Sequence, residues 1–160
     1  MLTQEQKQLI RDLNSYNYLH YKLADMTEQY AKSIKHIEDE ILAIDKQLSD
    51  GDIKSIQFEK VPSRSARKNT RVVELIYEQD ILKKRKELVK AEQIKEVDKI
   101  SNRIEDIEIY LKKLNDWERQ FITHMYIETR YIEYMMDVYN LSKSTVYRKA
   151  TNILNKMLKK

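Results

Sequence analysis

Glycine and proline are almost missing from this chain: there is one of each in 160 residues, where average usage would supply roughly nineteen of the two together. Tight turns, β-bulges and phosphate-cradling loops draw on glycine's freedom at positive φ, which argues against a β-rich fold or a glycine-rich nucleotide-binding fold. Cysteine is absent, which removes disulfides, thiolate metal sites and cysteine nucleophiles together. No apolar run approaches the roughly 18 residues needed to span a bilayer, so no membrane association is expected. The opening residues Met1, Leu2, Thr3, Gln4, Glu5 and Gln6 have neither the basic head nor the apolar stretch of a signal peptide. The expectation is a soluble cytoplasmic protein.

Histidine is scarce too. His20, His36 and His124 are far apart and form no HExxH-type spacing. The clustered carboxylates, Glu38, Asp39 and Glu40, and Glu105 and Asp106, fall on polar helix faces. Nothing converges for catalysis, so no enzyme, metal or cofactor is expected.

What is plentiful is the mixture found in long amphipathic helices: charged residues make up 35% of the chain, with 30 Lys plus Arg against 26 Asp plus Glu. Leu23, Met26, Tyr30, Ile34, Ile37, Ile41, Ile44 and Leu48 follow one another at spacings of 3 and 4. That stripe spans about 39 Å of helix. It can be traced backward through Leu9, Leu13 and Tyr16, with His20 taking an apolar place. The tyrosines at 16, 18, 21 and 30 fit burial at an open end of the structure, with their hydroxyls kept wet.

Both helix breakers, Gly51 and Pro62, fall within residues 49–70. Ser and Asn there compete with helix, so this stretch reads as a connector in which residues 53–58 could pack as an extended piece. Its basic run, Lys60, Arg64, Arg67, Lys68 and Arg71, fits a solvated loop or a phosphate contact. The helical pattern resumes at Val73, Tyr77, Ile81, Leu88 and Ala91. After a phase shift near residues 92–95 it continues through Val97, Ile100, Ile104, Ile107, Leu111 and Leu114. Lys83, Lys84, Arg85 and Lys86 read as an exposed face. Such narrow seams need a partner. The economical arrangement is an antiparallel hairpin of residues 72–114 on residues 9–48, and pairing between two chains is the competing one. The expected fold is all-α, with a coiled-coil-like helical hairpin over residues 1–113 and a helix-turn-helix domain over 114–160.

The last 46 residues have shorter periods. Asn115 or Asp116 can cap a helix bearing Trp117, Phe121 and Met125. A second short helix carries Ile132, Met135, Met136 and Tyr139. Asn140 suits a left-handed residue, and Ser142 suits the N-cap of a third helix presenting Val146, Ala150, Ile153, Leu154 and Met157 inward. Short helix, three-residue turn and capped helix make the helix-turn-helix pattern. Lys143, Ser144, Thr145, Tyr147, Arg148 and Lys149 then lie outward or on the flanks, and they are of types that pair with phosphates and guanine edges. Residues 138–160 contain six basic side chains and no acidic one.

Residues 114–160 resemble the fourth region of bacterial sigma factors, chiefly at Asp116, Trp117, Glu118, Arg119, Tyr126, Ile127 and residues 142–148. Joined to long helices, this resembles small phage and prophage transcriptional regulators of the ArpU and RinA type. Met136 and Asn140 depart from the Ala and Gly frequent in such motifs. The resemblance implies a sequence-specific activator of phage late genes for packaging and lysis. It also implies double-stranded DNA as a partner, with contacts at Lys143, Ser144, Thr145, Tyr147, Arg148 and Lys149. The expected assembly is a homodimer joined by the long helices, with host RNA polymerase as a further partner. Two other classes fit the same features: a small terminase-like packaging protein, and a coiled-coil interaction protein without specific DNA binding.

Overall fold

The structure is a computed structural model that describes residues 1–50 and 62–159, with side chains described for 1–50 and 70–159. It is all-α, and no strand occurs among the described residues. Helix α1 spans Gln4–Ser49, α2 Pro62–Lys112, α3 Asp116–Ile122, α4 Ile132–Tyr139 and α5 Lys143–Leu158, and a π-helical turn, Thr123–Ile127, follows α3 directly. No described helix is long and apolar enough to cross a membrane. The chain divides into two compact units, one of Met1–Ala24 with Asp98–Lys160 and one of Asp25–Val97. This division runs elsewhere than the expected boundary at 113/114, because the ends of α1 and α2 belong with α3, α4 and α5.

In the unit Asp25–Val97 the two helices run antiparallel. Tyr30 lies near Glu92 and Glu96, Glu38 pairs with Lys86 at 2.7 Å, and Asp45 accepts a hydrogen bond from Gln79. The covered face of α1 here is the stripe expected from sequence, with Ile37 and Ile44 buried and Met26, Tyr30, Ile34, Ile41 and Leu48 half-buried; the stripe's first member, Leu23, is half-buried and falls in the other unit. On α2 the structure corrects the expectation. The covered face is Val72, Leu75, Gln79, Leu82, Lys86, Val89, Gln93 and Val97, whereas Val73, Tyr77, Ile81, Leu88 and Ala91 are exposed. Its spacing contains one doubled step of four, Val89 to Gln93 to Val97, a stutter close to the expected phase shift. The stripe on α1 makes the same doubled step at Met26, Tyr30 and Ile34, at the level where Tyr30 meets Glu92 and Glu96. Beside those carboxylates the Tyr30 hydroxyl is held above its usual range, by desolvation first and by the two negative charges second. Of the basic run, Lys83, Lys84 and Arg85 are exposed, while Lys86 is half-buried and turned to Glu38.

Helix α2 also begins earlier than expected, at Pro62. Proline suits a first helical position, where its fixed φ is already helical and its missing N–H is not needed. The expected extended piece at residues 53–58 and Lys60 lie outside the described residues, and the side chains of Arg64, Arg67 and Lys68 are likewise outside them. Arg71 pairs with Glu74 at 3.5 Å and Glu78 at 3.8 Å.

In the unit Met1–Ala24 with Asp98–Lys160, three short helices thicken the seam into a core. Leu9, Leu13, Leu19, Ile104, Ile107, Leu111, Phe121, Ile122, Met135, Val146, Leu154 and Met157 are all buried there. Leu19 carries the α1 seam where His20 was expected; His20 is exposed and packs its ring edge-on to Tyr16 at 4.6 Å. Of the four tyrosines, Tyr16 and Tyr30 are half-buried, but Tyr18 and Tyr21 are exposed, contrary to expectation. Tyr16 donates to Glu108 at 3.1 Å. Helix α1 starts in a capping box, with the Thr3 N–H donating to Gln6 Oε1 and the Gln6 N–H to Thr3 Oγ1. The buried Gln6 amide then donates to Asn155 Oδ1 at 2.7 Å, tying the start of α1 to α5.

The covered and uncovered faces can be separated by truncation. Ile37→Ala should lower the unfolding free energy by about 2–5 kcal/mol, because it leaves a cavity in the seam. Leu42→Ala, at an exposed position of the same helix, should change it by less than about 0.5 kcal/mol in denaturant titrations.

Candidate nucleic-acid interface

The site begins with a helix stop. Asn140 ends α4 in the left-handed region, φ 50° and ψ 51°. The Leu141 N–H donates to the Met136 carbonyl at 3.1 Å, the wide-ring closure of a Schellman-type end. Two residues later Ser142, extended at φ −70° and ψ 155°, caps α5 by accepting from the Thr145 N–H. A three-residue connection therefore joins α4 to α5, as the sequence predicts.

One face of α5 is anchored. Val146, Ala150, Ile153, Leu154 and Met157 are buried, and α5 packs on α3 and α4. The C-terminal end is closed by Lys113, whose ammonium donates to the carbonyls of Met157 at 2.7 Å and Lys159 at 2.8 Å. On α3, Asn115 and Glu118 form a capping box, and Glu118 Oε2 also pairs with Lys156 at 2.6 Å. That ammonium, ahead of the Asn115 N–H, holds the Glu118 carboxyl below its ordinary value against the opposing effect of burial. Trp117 stacks on Phe121 at 5.2 Å and meets Tyr139 edge-on at 5.6 Å, and Arg119 reaches back to the carbonyls of Leu111 and Leu114. The Asp116, Trp117, Glu118 and Arg119 stretch is thus a scaffold for α5.

The six expected contact residues separate into two groups. Lys143, Ser144, Tyr147 and Arg148 are exposed together on the first two turns of α5. Thr145 is half-buried and its hydroxyl lies 2.9 Å from that of Ser142, so it belongs largely to the cap. Lys149 is half-buried with its ammonium 5.1 Å over the Trp117 ring, a cation–π contact that draws it toward the scaffold. The Ser144 hydroxyl is 3.2 Å from Ser142 Oγ and stays exposed.

Sequence reasoning missed the continuation of this face. It runs from Ser144 and Arg148 to the exposed Asn152; beside it Thr151 is half-buried with its hydroxyl donating to the Tyr147 carbonyl at 3.0 Å, and Asn155 is engaged by Gln6. Polar periodicity opposite the Val146, Ala150 and Ile153 stripe was the available signal. The π-helical turn was missed as well. It closes through Glu128 N–H to Thr123 O and Arg130 N–H to His124 O, both at 2.8 Å, and Thr129 follows at φ 49°. The Tyr139 hydroxyl and His124 Nδ1, 2.9 Å apart, fasten this turn to α4. Burial pushes the Tyr139 and Tyr126 hydroxyls above their usual range. Tyr147 borders a shallow hollow of about 370 Å³ that Leu2, Ile10, Met125 and Tyr126 also line.

Charge at the N-terminal end of α5 is one-sided. The first turn contains no acidic residue and begins with Lys143, although the partial positive charge of a helix start favours an acid there. A bound anion would relieve both. Among the described residues no group of three or more His, Asp or Glu side chains could hold a metal ion. The chain matches no family profile, no curated protein and no solved structure.

Two outcomes test the scaffold. Asn115→Ala should cost about 1 kcal/mol through loss of the α3 cap. Because Glu118 is depressed on folding, its contribution is present above the ordinary value of 4.5 and fades as pH falls through the lower folded value. Urea midpoints measured between neutral and acid pH should show this loss, worth no more than about 1 kcal/mol for a partly exposed pair. In Glu118→Gln that part of the acid slope should be missing.

Proposed function

We propose that this chain is a sequence-specific regulator of transcription that binds double-stranded DNA, with α4 and α5 as its helix-turn-helix and α5 as the recognition helix. The observation that carries this reading is the exposed group Lys143, Ser144, Tyr147 and Arg148 on a helix whose opposite face is buried and whose first turn has no acid. In a major groove, such a helix start offers its N–H groups and Lys143 to phosphates and Ser144 as a hydroxyl donor. Arg148 supplies the planar fork that matches the two groove-facing acceptors of guanine. Asn152 extends the same readout, and Lys149 and Thr145 act as positioning residues through Trp117 and the cap. The resemblance to ArpU- and RinA-type regulators adds activation of phage late genes, working with host RNA polymerase in the bacterial cytoplasm, and binding as a homodimer.

Sites would be recovered by selecting bound fragments from the source genome, then compared with scrambled duplexes at two salt concentrations. Arg148→Ala should cost roughly 1–3 kcal/mol on the selected site and much less on scrambled DNA. Lys143→Ala should weaken both duplexes alike and reduce the salt slope by about one phosphate contact. Absence of any salt-sensitive affinity for duplex DNA overturns the reading. Equal loss for Arg148→Ala on both duplexes makes that residue a phosphate anchor and moves the readout elsewhere.

A further inference from the structure

Within the unit Asp25–Val97, α2 carries large apolar residues on two faces. One is the seam covered by α1. The other is bare: Val73 is 65% exposed, Tyr77 68%, Leu88 72% and Ile94 62%, with Ile76 and Ile81 beside them at 47% each. Val73, Tyr77, Asp80, Lys84, Glu87, Ala91 and Ile94 follow at alternating steps of 4 and 3, a coiled-coil heptad, and all seven are exposed. Asp80, Lys84 and Glu87 hold its middle, and Val73, Tyr77, Ala91 and Ile94 its two ends.

We infer that this outer face of α2 binds a second copy of the chain in antiparallel orientation, with the twofold axis at the level of Leu82. Charge decides both occupant and direction. In a parallel pair in register, Asp80 meets Asp80 and Lys84 meets Lys84. In the antiparallel pair, Asp80 of each copy faces Lys84 of the other, Tyr77 faces Glu87, and Val73 faces Ala91. Ile76 and Leu88 flank that set. The polar positions that would weaken any other register become two identical ion pairs about the axis, as an isologous contact requires. A central polar pair in an apolar seam is the device that fixes coiled-coil register. The contact from Val73 to Ala91 is about 27 Å long. Such association concerns the protein alone and does not depend on DNA binding.

Light scattering and sedimentation of the full chain without DNA test it, with far-ultraviolet circular dichroism confirming unchanged helicity in each variant. The wild type should be a dimer at tens of micromolar. Leu88→Asp should be monomeric. Asp80→Lys and Lys84→Glu should each weaken association by about tenfold or more, and the double variant should restore it. The chain has no cysteine, so introduced thiols report direction without background. Under mild oxidation, Val73→Cys protein should cross-link to Ala91→Cys protein and neither should cross-link efficiently to itself. A monomeric wild type, a dimer indifferent to Leu88→Asp, or self-cross-linking of Val73→Cys overturns the proposal.

Discussion

A two-helix seam has almost no interior. Each apolar residue along it must be covered at its own level by the facing helix, and each polar residue that falls on it must find a partner there. In the unit Asp25–Val97 this constraint governs everything visible. Gln79 sits on the covered face because Asp45 is opposite, and Lys86 does so because Glu38 is opposite. The matched steps at Tyr30 and Gln93 keep the two stripes facing each other past the stutter. No buried side-chain N or O atom among the described residues lacks a hydrogen-bond partner. In the other unit the short helices supply a third side to the seam, and the largest fully buried side chains, Phe121, Leu13, Ile122, Met135, Leu154, Met157 and Val146, all lie there.

The candidate surface on α5 is held by that thicker core. Arg148 and Lys143 project from a helix fixed at its base by five buried residues, at its start by the Ser142 cap and at its end by Lys113. A helix backbone held this way has little freedom of its own left to lose against any partner.

Legibility in the sequence followed the density of apolar residues. The inward stripe of α5, the Ser142 cap and the left-handed Asn140 were readable because each has a local cause. The α1 stripe was readable because all eight of its members are large and apolar. On α2 the same logic misled. Three of the eight covered positions there are polar, and two of them, Gln79 and Lys86, depend on Asp45 and Glu38, more than thirty residues away. On the outer side Val73, Tyr77, Ile81 and Leu88 are all large and apolar, and they dominate the pattern. Pro62 reads as a breaker yet starts a helix, an outcome set by the residues after it rather than by proline itself. The π-helical turn has no local signature in Thr123, His124, Met125, Tyr126 and Ile127. For the candidate site, exposure of Lys143, Ser144, Tyr147 and Arg148 followed from the stripe. The withdrawal of Lys149 to Trp117 required knowing that α3 lies alongside.

The contact between Lys113 and the last carbonyls of α5 has an electrical consequence. A helix in isolation is a dipole, and from a distance its two ends cancel. Here the negative pole is neutralised internally by an ammonium from outside the helix, while the positive pole opens to solvent behind Lys143. A molecule approaching α5 meets an unbalanced positive end, closer to a point source than to a dipole. At physiological ionic strength that field is screened beyond about 8 Å. Its reach is then about one and a half turns of helix, so only a group already beside the helix start feels it.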